Sequence, residues 1–279
     1  MCGRLRLAFE TAAGRTALTV REQQPPLRVV RAFSLDDGSA LVHLHNLSGG
    51  VLGGDRLLLE IDLAPEATVQ VTSTGATRVY RCRPDGAGAL QEVDIRLGRN
   101  ALLEYLPDAL IPFSGSRYYQ QTRIELADGA GLFWWEMLAP GRQARGELFA
   151  YDALESGVQL HAGSLPIALE RIYLEPARRP LCSPARLGPY THVGSLYICR
   201  VGFDEQQWLE WENSLAELAA RLSRPGVALW AVSSLAAHGL IIRAVSQSAQ
   251  HIRTGFVEFW RAGKRLLYGR EAVLPRKIW

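Results

Sequence analysis

Cysteine is scarce in this chain: four residues in 279, at positions 2, 82, 182 and 199. They lie far apart with no C-x-x-C pair, which excludes a zinc ribbon and argues against a disulfide framework. No uninterrupted apolar run approaches the roughly 18 residues needed to span a bilayer. Met1-Cys2-Gly3-Arg4-Leu5-Arg6 mixes charge into the stretch where a signal peptide would carry an apolar core. Charge of one sign is also lacking. The formal net charge is only +3, no Lys/Arg run forms a stripe, and arginine greatly outnumbers lysine. Arginine's planar fork suits protein interfaces and carboxylate pairing as well as phosphate, so nucleic-acid binding is not indicated. What is present, 48% hydrophobic and 21% charged residues, suits a folded protein able to bury a core. The expectation is a cytoplasmic protein with reduced thiols and no membrane or nucleic-acid partner. With no linker or low-complexity stretch, residues 1–279 read as one domain.

The first two-thirds reads as β. Apolar residues alternate with polar ones at Leu5/Leu7/Phe9, Ile61/Leu63, Val69/Val71, Val93/Ile95/Leu97 and Ile124/Leu126. Three segments resemble one another: Asp62–Ala67, Arg96–Ala101 and Glu125–Ala130. Each follows an alternating strand, supplies a tight turn, and leads through its alanine into a more apolar strand (68–72, 102–106 and 132–138). A spacing of roughly 30 residues is typical of stacked supersecondary repeats. The expected fold is mainly β: stacked β-hairpins in a helical, solenoid-like arrangement, with a β-sandwich of ordinary hairpins as the alternative. The last third adds two helices. Asp204 and Gln207 form a capping-box pattern before Trp208, Trp211, Leu215, Leu218 and Leu222 at helical spacing, and Pro225-Gly226 stops the run. A second helix beginning after Ser246 or Ser248 carries Ile252, Phe256, Phe259 and Trp260 on one stripe, with Gly263 as its expected end. Residues 227–232 and 240–245 read as strands between the helices.

Catalytic signatures are missing. Ser48-Gly49-Gly50 and Ser114-Gly115-Ser116 form no G-x-S-x-G elbow, and there is no Walker A sequence, dinucleotide fingerprint or HExxH. Gly49–Asp55 lacks the lysine and helix of a phosphate-binding loop, so its glycines are read as turn formers. For metal, His43 and His45 are two apart and share a strand face. With Asp55 they suggest a weak open site, against the plainer reading of strand histidines with hydrogen-bonded rings. Glu104 and Glu136 alternate into apolar strands. A buried carboxylate is costly unless paired, so these two either face a polar interior or are held by salt bridges.

Several blocks resemble the UreD (UreH) family of urease accessory proteins. Ser48–Asp55 is similar to its glycine-rich signature ending in GGD, Thr72–Arg81 to its TTPGATKFYR block, and Leu103–Pro107 to LEWLP. Trp135-Glu136 with Pro140-Gly141-Arg142 and Arg145-Gly146-Glu147 resembles "WEIL…GR…GE", and Pro275–Trp279 the terminal PR-x-W. The blocks occur in order over nearly the whole chain. The resemblance implies stacked β-sheets with two helices, and partnership with UreF, UreG and the urease apoprotein in GTP-dependent nickel delivery, the GTPase being UreG. It also implies no tightly bound cofactor but an internal passage for nickel in transit, carried over here to Asp55, Glu104 and Glu136, with His43 and His45 as weaker candidates. There are departures: Thr74 stands where proline is common, Arg78-Val79 replaces Lys-Phe, and an acidic pair common after LEWLP is replaced by Ala109 and Ser114.

The leading expectation is thus a non-catalytic maturation factor. The alternatives are a β-helical carbohydrate-active enzyme using Glu104 and Glu136 as paired carboxylates, and a plain interaction module. The tail beyond Gly263 mixes apolar, aromatic and basic residues without a clear period. Tyr268, Arg276, Ile278 and Trp279 are the expected UreF-docking anchors.

Overall fold

The computed structural model describes residues 1–275. Arg276, Ile278 and Trp279 lie outside the described residues. Two sheets face each other. The first has seven strands in the spatial order Leu165–Leu174, Ala153–Ala162, Arg117–Leu126, Ala89–Leu97, Arg56–Leu63, Cys2–Ala12, Arg15–Gln24. The second runs Ala228–Ser234, Gly239–Ser246, His192–Arg200, Gly131–Leu138, Leu102–Tyr105, Thr68–Ser73, Ala40–Asn46, Leu27–Arg28, with short strands beside this path. The middle of each sheet is parallel and the flanks are antiparallel.

The three similar segments are the corners of this stack. Each closes with an i-to-i+3 hydrogen bond, from Ala67, Ala101 and Ala130 N to the carbonyls of Ala64, Gly98 and Ala127. Each places its third residue in the left-handed region: Glu66 at φ 64°, Asn100 at 56° and Gly129 at 70°. Pro65 precedes Glu66, the position where proline's fixed φ favours such a turn. The corners stack through Glu66 N to Arg99 O and Asn100 N to Asp128 O, both 2.9 Å. The recurring mainly β stack is therefore as expected. Within a unit, however, the two strands do not pair with each other: Arg56–Leu63 belongs to the first sheet and Thr68–Ser73 to the second. The units are arches, and each strand finds its partners in the units above and below. The three corner alanines are buried because they are the first inward residues after the turn.

Between the sheets, Leu5, Leu7, Phe9, Ile61, Ile95 and Ile124 meet Val69, Val71, Leu103, Tyr105, Leu132 and Trp134. Tyr105 stacks on Trp134 with ring centroids 4.0 Å apart. A second core lies outside the second sheet, where helix α1 (Glu205–Leu222) and helix α2 (Ala249–Tyr268) cover Leu102, Phe133, Trp135, Leu196 and Ile198. The Asp204–Gln207 capping box starts α1, and Ser248 caps α2 by accepting from Gln250 N. Ile252, Phe256, Phe259 and Trp260 are fully buried on one stripe, as an amphipathic helix on a sheet requires. Gly263 does not end this helix. It is buried against Ile198 and Phe133, and the stop comes at Gly269, whose φ is 60°.

Candidate functional site

The corner alignment sets the site's parity. Leu102 and Leu103 sit in register with Gly131 and Leu132, so Glu104 is level with Phe133. Glu136 comes three residues after Phe133, and three is odd. The two glutamates therefore leave opposite faces of one sheet. Glu104 turns toward α2, where Oε1 accepts from Lys264 Nζ at 2.9 Å and Trp260 Nε1 at 3.0 Å, and Oε2 accepts from Gln70 Nε2 at 3.1 Å. Both its oxygens are committed. Glu136 turns inward, between the sheets.

There it borders a cavity of about 390 Å³. Much of the wall is apolar, including Leu154, Ile172, Leu181 and Leu187; Gln120, Ser156 and Ser195 supply polar groups, and Asp108 and Arg186 charged ones. A polar strip crosses the wall. Gln120 Nε2 donates to Glu136 Oε1 at 2.6 Å, and the Tyr118 hydroxyl lies 2.9 Å from both Gln120 Oε1 and Gln91 Oε1. Burial pushes the Glu136 carboxyl up to about 7; the Gln120 bond opposes this and the Glu170 charge adds to it. Glu170 is itself held by Arg243 at 2.5 Å and by the Tyr197 hydroxyl, joining the edge of the first sheet to the second. A second cavity of about 260 Å³ abuts the first across Thr77, Gln91, Tyr105 and Pro107, and reaches His45, Gly49 and Gly50.

The other expected ligands are placed apart. Asp55 is buried, its Oδ1 2.9 Å from the Met1 ammonium and its Oδ2 accepting from Leu52 N at 2.9 Å. His43 is buried edge-on against Phe33 at 5.7 Å. His45, at the end of its strand, borders the second cavity; burial holds its pKa below the usual histidine value, aided by His43 and Arg28. Among the described residues no three His, Cys, Asp or Glu side chains are grouped to hold a metal ion. Tyr268 turns its hydroxyl inward toward Gly131 and lies with its ring 4.4 Å from the Arg200 guanidinium. Lys264, Gln120, Glu170 and Tyr197 escaped the sequence reading. Lys264 carried a signal: it lies four residues after Trp260 on the apolar stripe, where a cation implies a buried partner.

Comparison with known proteins places these features in a lineage. The family model described as UreD urease accessory protein matches residues 1–279. A urease accessory protein UreD from Herpetosiphon aurantiacus is 48% identical over 280 residues, covering 100% of this chain and 97% of that protein. One from a Nostoc species is 33% identical, covering 99% and 95% respectively. One from Cenarchaeum symbiosum is 37% identical over 199 residues, covering 70% and 69%. Among the described residues no helix is long and apolar enough to cross a membrane.

Proposed function

The chain belongs to the UreD family of urease accessory proteins, and from that premise we propose that it is a non-catalytic scaffold. In this reading it joins UreF and UreG on apo-urease and assists GTP-dependent insertion of nickel, which crosses the inter-sheet cavity as cargo. The observation that carries this reading is the inward carboxylate of Glu136 on its polar strip inside a largely apolar cavity. Glu136 beside neutral amides and hydroxyls, with Asp108 and Arg186 elsewhere on the wall, offers a hard oxygen contact without the three or four grouped ligands that would trap a transition metal. The opposed faces of Glu104 and Glu136 support this reading over the carbohydrate-active one, since the enzyme needs two carboxyls flanking one bond. In cells expressing urease with its accessory proteins, Glu136→Ala should lower urease activity and the nickel content of purified urease together, with the accessory complex still assembled. Full activation and full nickel loading by Glu136→Ala at limiting nickel would remove the passage from this account.

A further inference from the structure

Beside the two sheets the chain makes a narrow third side. Thr77–Val79 and Leu110–Pro112 pair in parallel, and Val51 bridges to Val79. Val51, Val79 and Pro112 are buried, so strand alternation turns their neighbours outward. Leu52, Tyr80 and Phe113 form one outward row. Leu52 is 46% exposed, Tyr80 and Phe113 are half-buried, and their rings meet edge-on at 5.1 Å. The Arg142 guanidinium extends the row, 4.3 Å from the Phe113 ring centre. It is anchored from behind by Glu147, whose carboxyl the Arg142 hydrogen bonds hold down at about 2. The row needs glycine beneath it: a Cβ on Gly50 would lie 2.5 Å from the Tyr80 ring.

Charge surrounds this row unevenly. Arg78, Arg81 and Arg83 are exposed within six residues. None joins an ion pair among the described residues, and Arg81 finds only the Ser114 carbonyl and hydroxyl, at 3.3 and 3.5 Å. The nearby carboxylates are committed elsewhere, Glu147 to Arg142 and buried Asp55 to Met1 and Leu52; exposed Asp85 is the counterweight. The outer face of the first sheet is built the other way, with Arg4–Glu60, Arg96–Asp62, Arg123–Asp94 and Arg171–Glu155 pairing across strands. Aromatic and arginine side chains around an exposed apolar residue are the composition of binding hot spots, and uncompensated guanidinium forks select carboxylates.

We propose that this third side docks a protein partner whose contact surface is acidic around an apolar side chain. The apolar group rests on Leu52, Tyr80 and Phe113, and its carboxylates pair with Arg78, Arg81 and Arg83. The row points away from the Glu136 cavity, which Thr77 and Leu110 of the same strands line from within, although Arg78 also borders the second cavity; docking here does not require nickel to pass there. The test uses the full chain, with purified urease apoprotein and the UreF-type protein of the same organism as immobilised probes. At least one probe should bind the wild type, weakening between about 50 and 500 mM salt as charge pairing is screened. Arg78→Glu/Arg81→Glu should weaken that binding about tenfold or more, and Arg78→Lys/Arg81→Lys less, at unchanged melting temperature. Should the double reversal lower the melting temperature, Arg83→Glu, at an exposed side chain, gives the same reading. Unchanged affinity in the reversals, salt-independent binding, or no wild-type binding to either probe overturns the docking face. Urease activation, read separately, tells whether nickel delivery survives that outcome.

Discussion

The buried pair of Glu104 and Lys264 offers a sharp energetic test of the packing between α2 and the second sheet. Both side chains are nearly inaccessible, 4% and 3% exposed, with nitrogen and oxygen 2.9 Å apart. Trp260 and Gln70 complete the carboxylate's hydrogen bonds, and Gln70 Nε2 also donates to Val273 O at 2.9 Å. The hub therefore joins sheet, helix and the segment that follows the helix. Lys264→Met keeps most of the aliphatic stem but removes the cation, leaving a carboxylate that two neutral donors cannot fully compensate. Breaking one side of such a pair costs about 3–5 kcal/mol. At roughly 2–4 °C per kcal/mol for a chain of this size, the melting temperature should fall by about 6–20 °C. Glu104→Gln should cost a similar amount, since it strands the ammonium. The double variant Glu104→Gln/Lys264→Met restores neutrality at near-constant volume and should recover most of the loss, a coupling of about 2 kcal/mol or more. Urea unfolding at neutral pH, followed by tryptophan fluorescence, measures all four proteins. A Lys264→Met loss below about 1 kcal/mol, or a double variant as unstable as the two single losses added, would refute the claim that this pair acts as a unit.

Two further outcomes follow from the same geometry. Because the folded Glu136 carboxyl titrates near 7, above the ordinary 4.5, the folded state holds a proton there that the unfolded chain releases, so wild-type stability should decline as pH rises through that window. Glu136→Gln removes the decline and should gain on the wild type between pH 5 and 8 by at most about 3 kcal/mol, and about 1–2 kcal/mol if water in the cavity screens the charge; parallel stability curves would exclude a buried, proton-holding Glu136. The Tyr268 hydroxyl is buried without a hydrogen-bond partner among the described residues and lies where a Cβ on Gly131 would approach to 1.6 Å. Gly131→Ala should therefore cost about 1–3 kcal/mol, and Tyr268→Phe should be nearly neutral alone and relieve part of that cost; a neutral Gly131→Ala would mean that Tyr268 is not packed against this strand.

Much of the fold was legible because period-2 alternation reports which residues face inward, and the corner alanines Ala67, Ala101 and Ala130 recur at similar spacings. Alternation does not say which strand is the neighbour. An arch and a hairpin share the same pattern, so the strands flanking Ala64–Ala67 read as a pair when they belong to different sheets. Edge strands blur the pattern further. Leu165–Leu174, at a sheet edge, faces solvent with Leu169, 78% exposed, and was not placed from sequence; nor were the internal strands Ala153–Ala162 and His192–Arg200. Gly263 misled for a related reason: a glycine near a helix end resembles a cap, but this one makes room for Ile198 and Phe133. At the site, an acid in an apolar strand correctly marked Glu104 and Glu136 as constrained. Their opposite faces were already implied by aligning the Asn100-Ala101 corner with Gly129-Ala130 and counting residues. The Gln91–Tyr118–Gln120 strip was not legible, since it depends on which side chains adjacent strands bring level.

The departures from the family pattern can now be located against the cavity. The family resemblance implies an acidic pair where this chain has Ala109 and Ser114. Ala109 is 8% exposed and sits in the core between the second sheet and the helices. Ser114 lies on the third side, its N–H donating to Glu147 Oε2 at 3.2 Å and its carbonyl accepting from Arg81. Neither borders the cavity that Glu136 faces. Side chains of either sign at these positions would act on the helix-side core or on the arginine-rich docking row, away from an ion between the sheets. An acid at Ser114 would stand beside Arg81 and offset part of the positive charge on which the proposed docking depends. With serine there, no acid at this position offsets Arg81 in the proposed docking, and Glu136 in the cavity is untouched.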